Sequence, residues 1–267
     1  MEDKTHVLIN NLLYSCIGEK QRGNEQFVHE HALGCVIEGE IHRITNSGLT
    51  IDKAGTIALV RRNQLIKTIK VPPPGGEFKM VNIFISQDFL RRYAAQHKFD
   101  PAARYTGENV HMLPTDPFLK GYFYSLLPYF DHPENLRPAM AELKTTEAVE
   151  LLLHMQPGLK DFFFDFSEPH KIDLEAYMNQ HYMYNVPALR FAQLTGRSLA
   201  SFKRDFEKIF NTAPGQWLQQ KRLAEAYYLI KKKGRKPSDV YLDVGFENLS
   251  HFSYTFKKTY GIAPSMV

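Results

Sequence analysis

Cysteine is nearly absent from this chain: Cys16 and Cys35 are the only two among 267 residues. Two thiols cannot build a disulfide framework, and so few of them fit a reducing compartment. Long apolar runs are missing as well. No stretch approaches the roughly 18 consecutive apolar residues that a membrane-spanning helix needs. The opening Met1-Glu2-Asp3-Lys4-Thr5-His6 is acidic and lacks the apolar core of a secretory signal, so a cytoplasmic protein with no membrane partner is expected. What is present is ordinary for a globular protein: 43% hydrophobic and 23% charged residues. That balance excludes disordered, collagen-like and disulfide-scaffold classes, and the length suits one large or two ordinary domains.

Charge is unevenly spread. From Lys171 onward, 15 Lys and Arg face 8 Asp and Glu, a net of +7, whereas residues 1–170 carry 18 basic and 21 acidic residues, a net of −3. A basic C-terminal third on a mildly acidic body points to a polyanionic partner for that third alone.

The first hundred residues read as short strands. Glu25-Gln26-Phe27-Val28-His29, Leu33 to Glu38, Glu40 to Ile44, Thr56 to Val60, Leu65 to Val71 and Met80 to Ile85 are β-branched or apolar runs. Asn46-Ser47-Gly48, Lys53-Ala54-Gly55 and Pro72-Pro73-Pro74-Gly75-Gly76 punctuate them as turns. Many short strands at this spacing predict a small barrel or sandwich. The period then changes to a helical one. Helices are expected over Gln87–His97, from Thr115-Asp116-Pro117 through Phe118, Tyr122, Leu126 and Leu127, and over Arg137–Met155 with Met140, Leu143, Ala148, Leu151 and Leu152 on one side. The apolar sides of the last two are generous for a small domain, which suggests self-association, with a charge at Leu151 or Leu126 expected to give a folded monomer. Asp165–His170 reads as a linker.

Beyond the linker the pattern is helical throughout. Pro187 opens a short helix with Leu189, Ala192 and Leu194 as its expected buried side, and Thr195-Gly196-Arg197-Ser198 makes a tight turn with a capping serine. In the next helix Phe202, Phe206, Ile209 and Phe210 must face a core. Ala200, Lys203, Arg204 and Glu207 form the opposite face. A short helix, a glycine turn and a second helix with a polar outer face constitute a helix-turn-helix at about 186–211. The pattern recurs at about 237–260. There Pro237 to Val244 leads to Gly245-Phe246, and a second helix, Asn248 to Tyr260, buries Leu249, Phe252 and Phe256 and leaves Ser250, His251, Ser253, Tyr254 and Lys257 outside. Pro214–Lys233 is a connecting helix stopped by Gly234, with Lys231-Lys232-Lys233 favourably placed at its end.

These segments carry a family resemblance. Leu189…Leu194-Thr195-Gly196-Arg197-Ser198…Phe202…Phe206, then Lys221-Arg222-Leu223-Ala224, then Val244-Gly245-Phe246…Leu249-Ser250-His251-Phe252…Tyr260-Gly261-Ile262-Ala263-Pro264 resemble the DNA-binding domain of AraC/XylS transcription regulators, over about a third of the chain. The resemblance implies a recognition helix from Ser198, with Ala200, Lys203 and Arg204 as base readers. It implies a second from Asn248, with Asn248, Ser250, His251 and Tyr254 outermost and Lys257 and Lys258 on phosphate. The sequence departs from the family in the bulk of Tyr241 and in a second recognition helix without arginine.

Residues 25–70 resemble the cupin-type barrel of such regulators, and about 7–165 resemble the N-terminal domain of ExsA-type regulators of type III secretion, which a protein anti-activator rather than a small molecule meets. The expected architecture is therefore α+β in two domains: a cupin-like β-barrel with appended helices over 1–165, and an all-α domain with two helix-turn-helix units over 171–267. His29-Glu30-His31 offers a cupin-like histidine pair, but the next carboxylate is Glu38 and Thr56–Thr68 contains no histidine. Two ligands do not fill a zinc site, so no metal or other cofactor is expected, and the histidines read as surface or pocket-lining. Ser15-Cys16 lacks a partnered base, and Gly75-Gly76 lacks the Lys-Ser/Thr of a phosphate loop. The implied protein is not an enzyme. It is a sequence-specific regulator of the activating kind, working as a homodimer on double-stranded DNA with RNA polymerase. A small-molecule effector or a protein anti-activator is its signal. The alternatives are a small-molecule enzyme of the cupin class and a pure interaction module.

Overall fold

The computed structural model describes residues 6–22, 27–45, 48–100 and 104–267. The expectations for Met1–Thr5, Glu25-Gln26 and Asn46-Ser47 lie outside the described residues. The chain forms two compact units, Met1–Ser167 and Glu168–Val267.

Among its described residues the first unit has twelve strands and a helical layer. The strands are β1 (His6–Ile9), β2 (Leu12–Ile17), β3 (Gln21–Arg22), β4 (Phe27–Val28), β5 (His31–Glu38), β6 (Glu40–Thr45), β7 (Gly48–Lys53), β8 (Ile57–Val60), β9 (Gln64–Leu65), β10 (Lys67–Val71), β11 (Phe78–Ile85) and β12 (Val110–Leu113). They divide into a six-stranded sheet, β1-β2-β11-β5-β8-β12, a four-stranded sheet, β3-β10-β6-β7, and the pair β4-β9. All pairings are antiparallel. Among the described residues no sheet closes on itself, so the expected barrel is replaced by open sheets. The reason is that residues of the two larger sheets line one common cavity, so each buries its inner face against the other without joining edges.

The central strands β5 and β11 explain why the sequence there reads as an unbroken apolar run. β5 is buried on both faces over most of its length, while β11 alternates buried residues with half-buried ones on its cavity side. Ala32, Gly34, Val36, Met80, Asn82 and Phe84 face the cavity, while Leu33, Cys35, Val81, Ile83 and Ile85 join the core beneath the helices.

That helical layer comprises α1 (Gln87–Gln96), α2 (Pro117–Leu126), α3 (Pro128–Asp131), α4 (Pro138–Met155) and α5 (Leu159–Phe163). Ser86 caps α1 by accepting from the Phe89 amide, and Asp116 caps α2 by accepting from Phe118 and Leu119. Asn11, in the turn between β1 and β2, donates both to the Phe84 carbonyl and to Thr145 Oγ1 on α4, at 2.8 and 2.9 Å. The helical periods place Tyr122, Leu126, Ala148 and Leu152 inside as expected, but Phe118, Met140 and Leu143 are exposed. Leu126 is fully buried and Leu151 partly so. A charge at Leu126 would therefore break the core rather than release a monomer. The boundary between the two units falls inside the expected linker Asp165–His170, but the first residue of that segment is tied into the first unit. Asp165 is buried, and its carboxylate accepts from Arg61, the Tyr105 amide and Ser167. Burial works to raise its pKa, but these hydrogen bonds and Arg61 hold it below the ordinary carboxylate range.

The second unit is α6 (Leu174–His181), α7 (Ala188–Leu194), α8 (Leu199–Phe210), α9 (Pro214–Lys233), α10 (Pro237–Asp243) and α11 (Leu249–Tyr260). Its first half is held by aromatic packing, Phe206 and Phe210 lying 5.5 and 4.6 Å from the single tryptophan, Trp217. Its second half packs Leu223, Ala226 and Ile230 of α9 against Val240, Val244, Phe252 and Phe256. Phe191 takes the buried place expected of Leu189, which is exposed, as are Ile209 and Leu249. Asn211 ends α8 in the left-handed region, φ 52°, a conformation that asparagine tolerates at a helix end.

Candidate nucleic-acid interface

The first helix pair turns between α7 and α8. Thr195, fully buried, donates its hydroxyl back to the Phe191 carbonyl at 2.8 Å. Gly196 follows with φ +65°, and a Cβ there would lie 2.1 Å from the His170 carbonyl carbon, so only glycine fits. Arg197 is not an interface residue. Its side chain is 7% exposed, and it donates to Asp205 at 3.1 Å and to the Ile172 and Thr195 carbonyls. Lys171 and Arg197 in turn hold the Asp205 carboxyl below its usual range. Ser198 caps α8 by accepting from the Ser201 amide. Turn, cap and ion pair thus fix how α8 presents its outer face.

That face carries the expected residues. Ala200, Lys203, Arg204 and Glu207 are all exposed, opposite buried Phe202 and Phe206. The Arg204 side chain is 78% exposed, its nearest carboxylate being Asp205 at 3.8 Å. In water such a contact holds it weakly, so its guanidinium fork is available for a partner.

The second pair, α10 and α11, is built on the same logic with a different lock. Gly245 has φ +96°, and an added Cβ would meet the Met183 carbonyl at 2.8 Å. Arg222 of α9 donates to the Gly245, Tyr182 and Tyr184 carbonyls at 3.0, 2.7 and 2.8 Å. Burial pulls its pKa down to about 10, and three carbonyl acceptors satisfy the buried cation. In the sequence Arg222 appeared only as part of the family pattern. Nothing local marks it as the staple of a turn 23 residues away. Tyr241, the bulky departure from the family, is accommodated half-buried against Phe252.

Asn248 caps α11 by accepting from the Ser250 and His251 amides. Ser250, His251, Lys257 and Lys258 are exposed and Tyr254 is 69% exposed, whereas Ser253 is half-buried. Both sets of expected contact residues therefore lie on solvent-facing helix surfaces.

The histidine pair is split by the break between β4 and β5, where His29 and Glu30 belong to neither strand. His29 borders the cavity between the sheets. His31 is fully buried on the opposite face beside Phe162 and Phe163, its ring 4.8 Å from that of Phe162. Among the described residues no three His, Cys, Asp or Glu side chains group to hold a metal, and no helix is long and apolar enough to cross a membrane.

Two domain families match this chain. A helix-turn-helix domain matches residues 191–267 and the ExsA N-terminal regulatory domain matches residues 31–162. The transcriptional regulator ExsA of Pseudomonas aeruginosa is 23% identical over 244 residues, covering 88% of this chain and 85% of its own. The virulence regulon transcriptional activator VirF of Yersinia enterocolitica is 25% identical over 92 residues, 34% of each chain. A crystal structure of apo ToxT from Vibrio cholerae aligns over 96% of both chains with a TM-score of 0.48 and 11% identity. With its two helix pairs and both matched domains, the chain belongs to the AraC/XylS family of DNA-binding transcription regulators.

Proposed function

We propose that the chain is a transcription activator whose two helix pairs each act as a helix-turn-helix unit, α8 and α11 entering successive major grooves of double-stranded DNA. The observation that carries this is the outer face of α8: Lys203 and Arg204 project into solvent from a helix whose entry turn and inner face are locked. Lys203 or Arg204 pairs with a guanine edge, and Ala200 touches a thymine methyl. On α11, Ser250, His251 and Tyr254 read the second half-site, with Asn248 and Ser198 at the helix starts beside the backbone. Lys257 and Lys258 meet phosphate and set register rather than sequence.

Activation is supported by the likeness to a protein named as a virulence regulon transcriptional activator, and recruitment of RNA polymerase is part of the same proposal. The chain acts as a homodimer. Its N-terminal unit, similar to a domain described as regulatory, receives the signal, from a small molecule or a protein partner, and signals by differential affinity for two states. Selection from a randomised DNA pool tests the reading, with the full chain and residues 168–267 used side by side. Two enriched half-sites about one helical turn apart support it. Retention of all sequences equally by both proteins overturns it.

A further inference from the structure

The helix that joins the two pairs, α9, ends in the densest positive charge of the chain. Lys231-Lys232-Lys233-Gly234-Arg235-Lys236 sets five cations in six residues, a third of the basic residues from Lys171 onward, and all six residues are exposed. Part of that charge has a structural use. The three lysines oppose the carbonyl end of α9, Lys231 donates to the Tyr227 hydroxyl at 2.7 Å, and Arg235 pairs with Asp243. A helix end carries only about half an elementary charge, so three lysines over-compensate it, and Lys236 lies beyond it. Among the described residues no carboxylate pairs with Lys231, Lys232, Lys233 or Lys236. The backbone keeps the surplus together. Gly234 takes φ 62°, its amide donating to the Ile230 carbonyl and that of Arg235 to the Leu229 carbonyl, so the chain folds back over the end of α9. Lys236 is then the N-cap residue of α10.

The two helix pairs differ in where they carry charge. The approach to α7, Tyr184-Asn185-Val186-Pro187, holds no cation, while α8 presents Lys203 and Arg204; α11 presents no arginine, and its pair is approached through the whole basic run. We propose that residues 231–236 bind the DNA phosphate backbone bordering the groove that α11 enters, giving the second pair a sequence-independent grip. In a helix-turn-helix the first helix crosses the backbone, and α10, the first helix of the second pair, starts directly from this run. Five cations in so short a span match closely spaced phosphates, one charge per about 1.7 Å of duplex axis, rather than an isolated anion. The proposal rests on the DNA reading above and adds to it a contact outside the recognition helices.

The test compares the full wild-type chain with the triple variant Lys232→Gln, Lys233→Gln and Lys236→Gln, which leaves the Lys231 and Arg235 contacts in place. Fluorescence anisotropy over a salt series is read on the selected duplex and on a scrambled one. The triple variant should lower the log–log slope by about 2 on both duplexes, so that its loss of affinity between about 50 and 200 mM salt is about 16-fold smaller than that of the wild type. A repeated selection should return the same preferred bases, whereas Arg204→Ala alters them. A lowered melting temperature with an unchanged slope reduces the run to a helix-end stabiliser and overturns the proposal. Unaltered DNA binding with weaker transcription by added RNA polymerase also overturns it, by making the partner an acidic protein surface. A wild type that selects DNA, with a variant of unchanged slope, removes this inference alone. A wild type that holds both duplexes equally, with a variant of lowered slope, removes the sequence-reading proposal and leaves the phosphate grip standing. No binding of either duplex by the wild type overturns both.

Discussion

Two arginines seven residues apart on the first helix pair do unlike jobs, and burial separates them. Arg197 is packed under the turn and bonded to Asp205 and two carbonyls, whereas Arg204 stands in solvent. Arg204→Ala should leave thermal stability nearly unchanged, weaken the preferred DNA site by about 1–3 kcal/mol and relax the choice at one base pair. Quantitative binding to the selected site and its single-base variants reads this. Equal weakening on every sequence would instead make Arg204 a phosphate contact.

His31 yields a second prediction at this scale. Both its ring nitrogens are buried with no hydrogen-bond partner, and burial, with Arg62 and Arg61 nearby, lowers its pKa to about 3. The folded imidazole is therefore neutral across the window in which the unfolded one, near 6.5, takes up a proton. Between pH 6.5 and 3 the unfolded chain binds more protons, so stability falls as pH falls through that window, by several kcal/mol at its lower end. His31→Leu removes the titrating group and should flatten the acid limb. Urea melts at pH 7 and pH 4 decide it: the variant should lose less stability between the two than the wild type.

At the scale of elements, the turns matter more than the helices they join. Gly196 and Gly245 take positive φ where backbone from another segment passes close by. Gly196→Ala, which must displace the main chain at His170, should destabilise the protein by about 2 kcal/mol or more and abolish DNA selection with it. Gly215, in the first turn of α9 with nothing within 4 Å of an added Cβ, is the contrast. Gly215→Ala should stabilise by about 0.5–1 kcal/mol and leave DNA binding intact. Thermal melts of the two variants should shift in opposite directions.

For the whole molecule, the uneven charge and the exposed apolar residues set the expected behaviour. DNA affinity should fall linearly in log–log form with salt, and Lys257→Ala and Lys258→Ala should each lower the slope by about 1 without altering sequence preference. Fluorescence anisotropy over a salt series measures this. Self-association should depend on the side chains left outside the core: Phe118 is 74% and Leu143 62% exposed. Phe118→Ser with Leu143→Glu should give a folded monomer by ultracentrifugation. Leu126→Glu should fail to fold, since it buries a charge in a packed core. A double variant that remains a dimer would move the interface elsewhere.

What the sequence by itself determined is what local rules govern. The positive-φ glycines, the capping Ser198, Asn248 and Asp116, the left-handed Asn211 and the 3.6-residue stripes are each set within a turn or two of chain. For that reason the two helix pairs of the second unit were legible, exposed outer faces included. The stripes were least certain at their margins, where Leu189, Ile209 and Leu249 turned outward because neighbouring helices, not periodicity, decide how much of a stripe is covered. Only the tertiary structure decided the rest. Arg222 reaches across 23 residues to close the second turn and across 40 to the Tyr182 carbonyl. Lys70 meets Ser15 across 55 residues. Open sheets form where short strands equally suited a barrel, and the break between β4 and β5 sends His29 and His31 to different surroundings. These features depend on which distant strands pair and in what register. In a chain with strands buried on both faces, apolar alternation no longer encodes that register.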